Sequence, residues 1–327
     1  VAWFAQPSGC ATNSEVFGLK QLTPQNFAIA RDTILSSARP LEKALFRYHF
    51  EDGPATAVWQ ELAAFHNHDG GFGHALEPDV RSPSSSALAT GIALRLLAET
   101  GAPADHPLVL EALDYLTGTL DPLTLTWRVL PLDANEYAHA PWWHDEDGSL
   151  ARTFDEFQII PRAELVAFLY HFANPAPAQW LVKVKDAAVL AIKHLPLGGG
   201  GGDDIVYALR LAQTKELPPA DSESLIRRMR EVAAASVTRD PEQWAAYSIP
   251  PLKLAPSPSS LLTDLFPEEI EQNLDYLVGT QTDGGYWEPT WTWGDFYPDS
   301  WPKARDEWRG EITLHNLLSL QAYGRLT

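Results

Sequence analysis

The sequence predicts an all-α fold, a single (α/α)6 toroid of six inner and six outer helices with its long loops at one mouth. Three observations predict it: internal repeats, two alternating kinds of helix, and a near absence of strand signals. Leu113-Asp114-Tyr115-Leu116-Thr117-Gly118-Thr119 recurs as Leu274-Asp275-Tyr276-Leu277-Val278-Gly279-Thr280. Asp69-Gly70-Gly71-Phe72-Gly73 is echoed by Asp283-Gly284-Gly285-Tyr286-Trp287. Ser82-Pro83-Ser84-Ser85-Ser86-Ala87-Leu88 reappears as Ser257-Pro258-Ser259-Ser260-Leu261-Leu262. Together they mark a helical unit of roughly 40 to 60 residues.

One kind of helix is one-sided. Ile270, Leu274 and Leu277 follow i, i+4, i+7 spacing, and Glu268, Glu269, Glu271 and Asp275 occupy the other face. The other kind is apolar nearly all round, as from Ala87 to Ala98, where Ala89, Gly91 and Ala93 permit close packing. A helix apolar on every face must be covered on every face, so it belongs inside. Outer helices are expected near 25–38, 55–66, 107–119, 178–194, 220–237 and 267–280, and inner ones near 41–50, 84–99, 161–172, 203–213, 257–266 and 309–323. Residues 1–24 read as an irregular arm and 25–327 as one toroid domain. Links from inner to outer helices are short, as from Gly101 to Asp105. Links from outer to inner helices are long (67–83, 120–160 and 281–308) and hold most of the Trp, His and acidic residues. Function is expected in the mouth they share.

Composition narrows the function. Over 327 residues, 24 Lys and Arg against 43 Asp and Glu leave a formal charge of −19. That balance argues against nucleic acid and anionic membrane surfaces as partners. No run of apolar residues is long enough for a membrane span. The one cysteine, Cys10, excludes an internal disulfide and a multi-thiolate zinc site. No basic segment followed by an apolar core opens the sequence, so a cytoplasmic location is expected. Twelve tryptophans exceed what a core needs and suggest ring-lined pockets.

The segment from Asp69-Gly70-Gly71-Phe72-Gly73 through a short acidic loop to the small-residue helix near Ser84 resembles the repeat of terpenoid cyclases and protein prenyltransferases. Gln281-Thr282-Asp283-Gly284-Gly285-Tyr286-Trp287 is similar to the glutamine-and-tryptophan repeat of squalene–hopene-type cyclases. The resemblance covers two of six units directly and implies the toroid. The family's catalytic signatures are missing. No DxDD acid motif occurs, the nearest clusters being Asp145-Glu146-Asp147 and Asp203-Asp204, and no DDxxD motif occurs either. The prenyltransferase zinc set lacks its cysteine, since Cys10 lies in the N-terminal arm. The resemblance therefore implies an architecture and leaves the reaction open.

The candidate residues fall in three loops. Glu77 and Asp79 stand with Arg81 between the Gly-Gly turn and an inner helix, near Phe72 and His74. They read either as helix-dipole complements and caps, or as an acid in the mouth with Arg81 as its partner. Trp142, Trp143 and His144 lie in the 41-residue loop 120–160, expected to be a substrate-contacting lid. His139, His144 and Asp145 could alternatively ligate a metal, although their spacing is not diagnostic. Glu288, Trp291, Trp293, Trp308 and Arg309 form the densest aromatic run. Alternation should put Trp291 and Trp293 on one side of an extended segment, where rings stack on sugars or shelter a cation. Gly198 to Gly202 lacks the Gly-Lys-Ser/Thr ending of a phosphate loop and reads as a flexible loop into an Asp203 cap. His49, His171 and His315 read mostly as satisfied core residues of inner helices, although one of them, inward near the mouth, could be catalytic.

The first functional expectation is a cyclase-like lyase or isomerase acting on an apolar, terpenoid-like small molecule, with no metal and no organic cofactor. Glu77, Asp79 or Glu288 would be the general acid, and the aromatic rings and Arg309 would line the cavity. If Arg81 pairs with one of Glu77 and Asp79, the other carries the proton. The alternative is a carbohydrate hydrolase or lyase using paired carboxylates with Trp stacking. The third possibility is a non-enzymatic binding scaffold.

Overall fold

Prolines open many of the helices, because a first-turn proline lacks only an N–H that has no helical partner anyway. In the computed structural model, residues 19–146, 159–172, 178–198 and 201–327 are described. Twelve α-helices follow one another: α1 (Pro24–Ser37), α2 (Pro40–Phe50), α3 (Ala55–Leu62), α4 (Ala87–Glu99), α5 (Pro107–Thr119), α6 (Arg162–Phe172), α7 (Gln179–His194), α8 (Gly202–Ala212), α9 (Pro219–Ser236), α10 (Pro251–Leu254), α11 (Pro267–Thr280) and α12 (Trp301–Ala322). The described residues contain isolated β-bridges but no strand, so the protein is all-α. Among them no helix is long and apolar enough to cross a membrane. Cys10 and most of the expected N-terminal arm lie outside the described residues, as do 147–158 of the expected lid.

Eleven of the twelve expected helices have a counterpart; the inner helix expected near 257–266 does not. Pro256 and Pro258 withhold two N–H groups there, and hydroxyls take over the backbone's bonding. Ser257 N–H donates to Ser260 Oγ at 3.1 Å, and Thr263 Oγ1 donates to the Ser257 carbonyl at 3.0 Å. Only a single 3-10 turn, Thr263–Leu265, follows, and the helical turn falls earlier, at α10. The helix expected at 309–323 begins at Trp301 instead. The cap of α8 also differs: Gly201 is the N-cap, and its N–H donates at 2.8 Å to Asp204, not to Asp203.

The chain forms two compact units interleaved in sequence. One comprises 1–58, 237–292 and 303–327, the other 59–236 and 293–302. In the second unit the helices make two layers. Helix α4 neighbours α6 and α6 neighbours α8, while α5, α7 and α9 back them one by one. Burial follows the sequence pattern: 11 of the 13 residues of α4 are buried. Outer helix α5 buries only Val109, Ala112 and Leu116, and α9 only Leu225, Met229, Val232 and Ala233.

Two of the three repeated pieces are repeated structures; the Ser257–Leu262 piece leads into no helix to match α4. The second Gly-Gly turn aligns one residue later than its sequence echo, Gly70 with Gly285 and Phe72 with Trp287. Trp127 donates its indole N–H to the Leu116 carbonyl at 2.7 Å, and Trp287 donates to the equivalent Leu277 carbonyl at 2.9 Å. Phe72 N–H donates to Thr90 Oγ1 of α4 at 3.1 Å, as Trp287 N–H does to Thr313 Oγ1 of α12 at 3.2 Å. The Gly-Gly turns are built alike. Gly70 takes φ 87°, and a Cβ there would lie 2.5 Å from the Glu111 carbonyl oxygen of α5. Gly285 takes φ 78°, and a Cβ there would lie 2.6 Å from Ala30 N of α1. Only glycine meets both requirements, a left-handed φ and no side chain at a helix-to-turn contact.

The inner-helix histidines are not core residues. His49 and His171 are half-buried and His315 is exposed. Burial, with the His315 charge added to it, pushes the His49 imidazole down to about 4. A folded value below the unfolded 6.5 or so means that the unfolded chain binds the proton more readily. This contribution to stability is present above pH 6.5 and is lost as pH falls towards 4, on the order of 3 kcal/mol in full. Urea unfolding at pH 7 and pH 4.5 should therefore show a loss on acidification that His49→Asn reduces. An equal loss in both proteins would mean that His49 does not titrate with folding.

Candidate functional site

In the second unit three segments converge: 67–86, which includes the first Gly-Gly turn, 126–146, and 293–302. The turn at Ala87 is already capped, because Ser86 Oγ accepts the Ala89 N–H at 3.0 Å. Ser86, not Glu77 or Asp79, is therefore the N-cap of α4. Ala140 N–H donates to the Asp79 carbonyl at 2.9 Å and Arg81 N–H to the Ala138 carbonyl at 3.0 Å, forming an antiparallel bridge with Val80 opposite His139. The pleat sends Asp79 and Arg81 to one face of this bridge, beside two alanines, and Val80 and His139 to the other.

On the first face Asp79 is buried, 2% exposed. Its Oδ1 accepts the indole N–H of Trp293 at 2.8 Å, across 214 positions of sequence. Trp293 is itself 1% exposed and packs on Trp301 at 5.6 Å between ring centres. Arg81 Nη1 donates to the Pro78 carbonyl at 3.2 Å, and Glu77 is half-buried. The loop below is tied by side chains. Ser82 and Ser84 hydroxyls donate to the two Asp133 oxygens at 2.8 Å each, and Asn67 Nδ2 donates to the Pro83 carbonyl at 2.9 Å.

On the other face His139 is fully buried. Its Nδ1 lies 2.7 Å from the Tyr137 carbonyl and its Nε2 lies 3.1 Å from His144 Nδ1. Phe296 meets both imidazoles edge-on, at 5.8 and 5.3 Å, and Tyr297 lies 5.1 Å from His139. Burial, then the His144 charge, push the His139 imidazole below its usual range, against the pull of the Tyr137 and Ala134 carbonyls. Among the described residues no three His, Cys, Asp or Glu side chains form a group fit to hold a metal ion, so His139, His144 and Asp145 do not make one.

Several expected pocket residues have other surroundings. Phe72 is fully buried, bridges backbone to His66 and Ser86, and fills the turn. His74 is exposed at φ 53° and bonds Asn67 Oδ1 through Nε2 at 2.8 Å. Trp142 is 44% exposed, whereas Trp143 is buried. In the first unit Glu288 accepts two N–H groups of Arg309, one of them at 2.9 Å, and Asp306 accepts a third at 2.7 Å. Both Glu288 oxygens thus act as acceptors, and Arg309 also lies over the Tyr286 ring at 4.5 Å. That clamp suits a fixed carboxylate better than a proton donor. Trp291 meets Trp308 edge-to-face at 5.1 Å, so Trp291 and Trp293 have different ring partners.

Two groups were not foreseen. In the first unit Glu42, 2% exposed, pairs with Arg39 at 2.5 Å, and Arg39 reaches Glu311 at 3.7 Å. Burial pushes the Glu42 carboxyl up, with Arg39 opposing and Glu311 adding to the effect. An acid in a first helical turn looks like a dipole complement in sequence, which hides such a pair. In the second unit Glu164 of α6, 1% exposed, pairs with Arg210 of α8, which lies over the Tyr207 ring at 5.4 Å. No family model matches this chain, and no curated protein compared with it does.

Proposed function

We propose that the chain is an (α/α)6 toroid and an acid–base enzyme, a cyclase-like lyase or isomerase acting on an apolar, terpenoid-like small molecule. Three features support the toroid: the two helical layers of the second unit, the repeated indole and Thr contacts, and the second Gly-Gly turn. The first turn packs on α5, the outer helix that follows it, and the second packs on α1, as a closed ring requires. A parallel bridge between Leu22, just before α1, and Leu326, after α12, joins the lead-in of the first helix to the segment after the last in the same sense.

The observation that carries the chemistry is the buried Asp79 carboxyl held by Trp293. An indole N–H only donates, so Oδ1 is the acceptor and an acid proton belongs on Oδ2. That proton would add to an alkene carbon, the π pair becoming the new C–H bond and leaving a cation beside it. Neighbouring ring faces stabilise such a cation, and loss of a proton from an adjacent carbon gives an isomer of unchanged mass. The Glu42–Arg39–Glu311 cluster favours the second reading, sugar cleavage by paired carboxylates. The purified chain should be offered linear isoprenoids and oligosaccharides, with products followed by mass spectrometry. Isoprenoid products of unchanged mass are expected. Oligosaccharide cleavage with no isoprenoid turnover would overturn the first reading and establish the second.

A further inference from the structure

The two histidines of the 126–146 loop hold a single proton arrangement. The Tyr137 carbonyl only accepts, so the contact at 2.7 Å requires a proton on His139 Nδ1. In a neutral ring the other nitrogen, Nε2, is then a lone pair. Its partner at 3.1 Å, His144 Nδ1, must be the donor. With ring planes 8° apart and centres 5.3 Å apart, the imidazoles lie edge to edge in nearly one plane, where the N–H and the lone pair point at each other. The same logic leaves His144 Nε2 without a proton, and no partner holds that atom among the described residues. His144 is half-buried, so this nitrogen sits on the more accessible ring of the two.

We infer that His144 is a general base whose proton-accepting atom is Nε2, with His139 as the positioning residue that fixes its tautomer. The substrate bond to hydrogen breaks, its electron pair stays on the substrate, and the proton bonds to His144 Nε2. The resulting imidazolium keeps its Nδ1–H on His139 Nε2. The proton goes no further, because His139 Nδ1 can hand its own only to a carbonyl. The pair takes one proton and not two, since a second would set two N–H groups against each other. Among the described residues, ionisable groups on the neighbouring elements do not supply a rival partner. The loop itself brings Asp145, whose N–H bonds Asn135 Oδ1 at 3.1 Å, and the exposed Glu146. Segment 293–302 brings Tyr297 and the exposed Asp295 and Asp299, and Asp79 and Arg81 project from the opposite face of the bridge.

The role in turnover rests on the acid–base reading above, but the test does not need a substrate. The full chain, labelled with ¹⁵N-histidine, should show both His139 and His144 as Nδ1–H tautomers at pH 8, and one proton entering at His144 Nε2 on acidification. Diethyl pyrocarbonate should acylate His144 at Nε2. His139→Phe keeps the ring and removes the acceptor, so His144 loses its fixed tautomer and acylation slows on the order of fivefold, the worth of one net hydrogen bond. His139→Gln, whose amide oxygen can accept, should restore both. An Nε2–H tautomer of His144 in the unmodified protein, or joint uptake of two protons, would overturn the proposal without use of any variant. Tautomers as expected together with a fully active Asp79→Asn would instead overturn the acid assigned above and leave this base standing.

Discussion

Asp79→Asn lowers turnover about 10²–10⁴-fold, the usual loss when a general acid is removed. The amide keeps the shape and its oxygen still accepts the Trp293 N–H, so the fold and the 2.8 Å contact survive. What disappears is an acidic proton on the second atom. Trp293→Phe separates the acid from its setting. A hydrogen bond donated to a carboxylate favours the ionised form, so losing the indole N–H raises the Asp79 pKa. A general acid works while protonated, and the basic limb of the kcat/KM profile should therefore move to higher pH in Trp293→Phe. The same variant removes one hydrogen bond from the buried Asp79 carboxyl, which costs about 1–3 kcal/mol of stability. Glu77→Gln, at a half-buried position beside it, should mainly loosen the loop. Equal, small losses in Asp79→Asn and Glu77→Gln would place the acid elsewhere, with Glu42 the next to test. Arg39 holds both Glu42 oxygens as Arg309 holds both of Glu288's, and Glu42 comes first only because it is buried and Glu288 exposed.

Much of the all-α fold is legible in the sequence, and for identifiable reasons. The Ala87–Ala98 stretch has no polar face, so only an inner position could satisfy it, and α4 is buried almost throughout. The one-sided stripe at Ile270 and Leu274 is likewise the buried stripe of α11. Hydrophobic period failed at 257–266, where Leu261 and Leu262 suggest a helix but Pro256 and Pro258 remove N–H groups and three serines give the backbone other partners. At the site, the mouth expected to be shared by loops 67–83 and 281–308 brings Asp79 and Trp293 together, but nothing in the sequence specifies the hydrogen bond between them across 214 positions. The His139–His144 arrangement was less legible still, because it depends on where one carbonyl, that of Tyr137, is aimed. Phe72 admits two readings for a related reason: an aromatic after paired glycines fits a pocket wall and a turn plug equally well in sequence.

Phe72→Ala distinguishes those two roles and should be the most destabilising single change in the second unit's loops. Phe72 is fully buried, and its ring meets His66 edge-on at 5.1 Å. Its backbone sits between His66 and Ser86 and donates to Thr90 Oγ1, so the ring fills the space between the turn and α4. Truncation removes the transfer free energy of the ring and leaves a cavity that glycine-fixed backbone cannot close. Gly71 and Gly73 already lie so near Ser85 and Ser84 that a Cβ would fall 2.5 Å and 2.3 Å from their atoms. A loss of about 3–5 kcal/mol is expected, as for other Phe to Ala changes in rigid cores. Thr90→Val, which keeps the volume and orphans the Phe72 N–H, should cost a smaller 1–3 kcal/mol or so. Urea unfolding of both variants beside the unmodified chain measures the difference. The aromatic at the equivalent turn, Trp287, is 4% exposed and donates to Thr313 and Leu277. Trp287→Ala should therefore be destabilising to a similar degree. A Phe72→Ala protein as stable as the original but weaker in substrate binding would return Phe72 to the pocket wall and remove the structural explanation of the repeat.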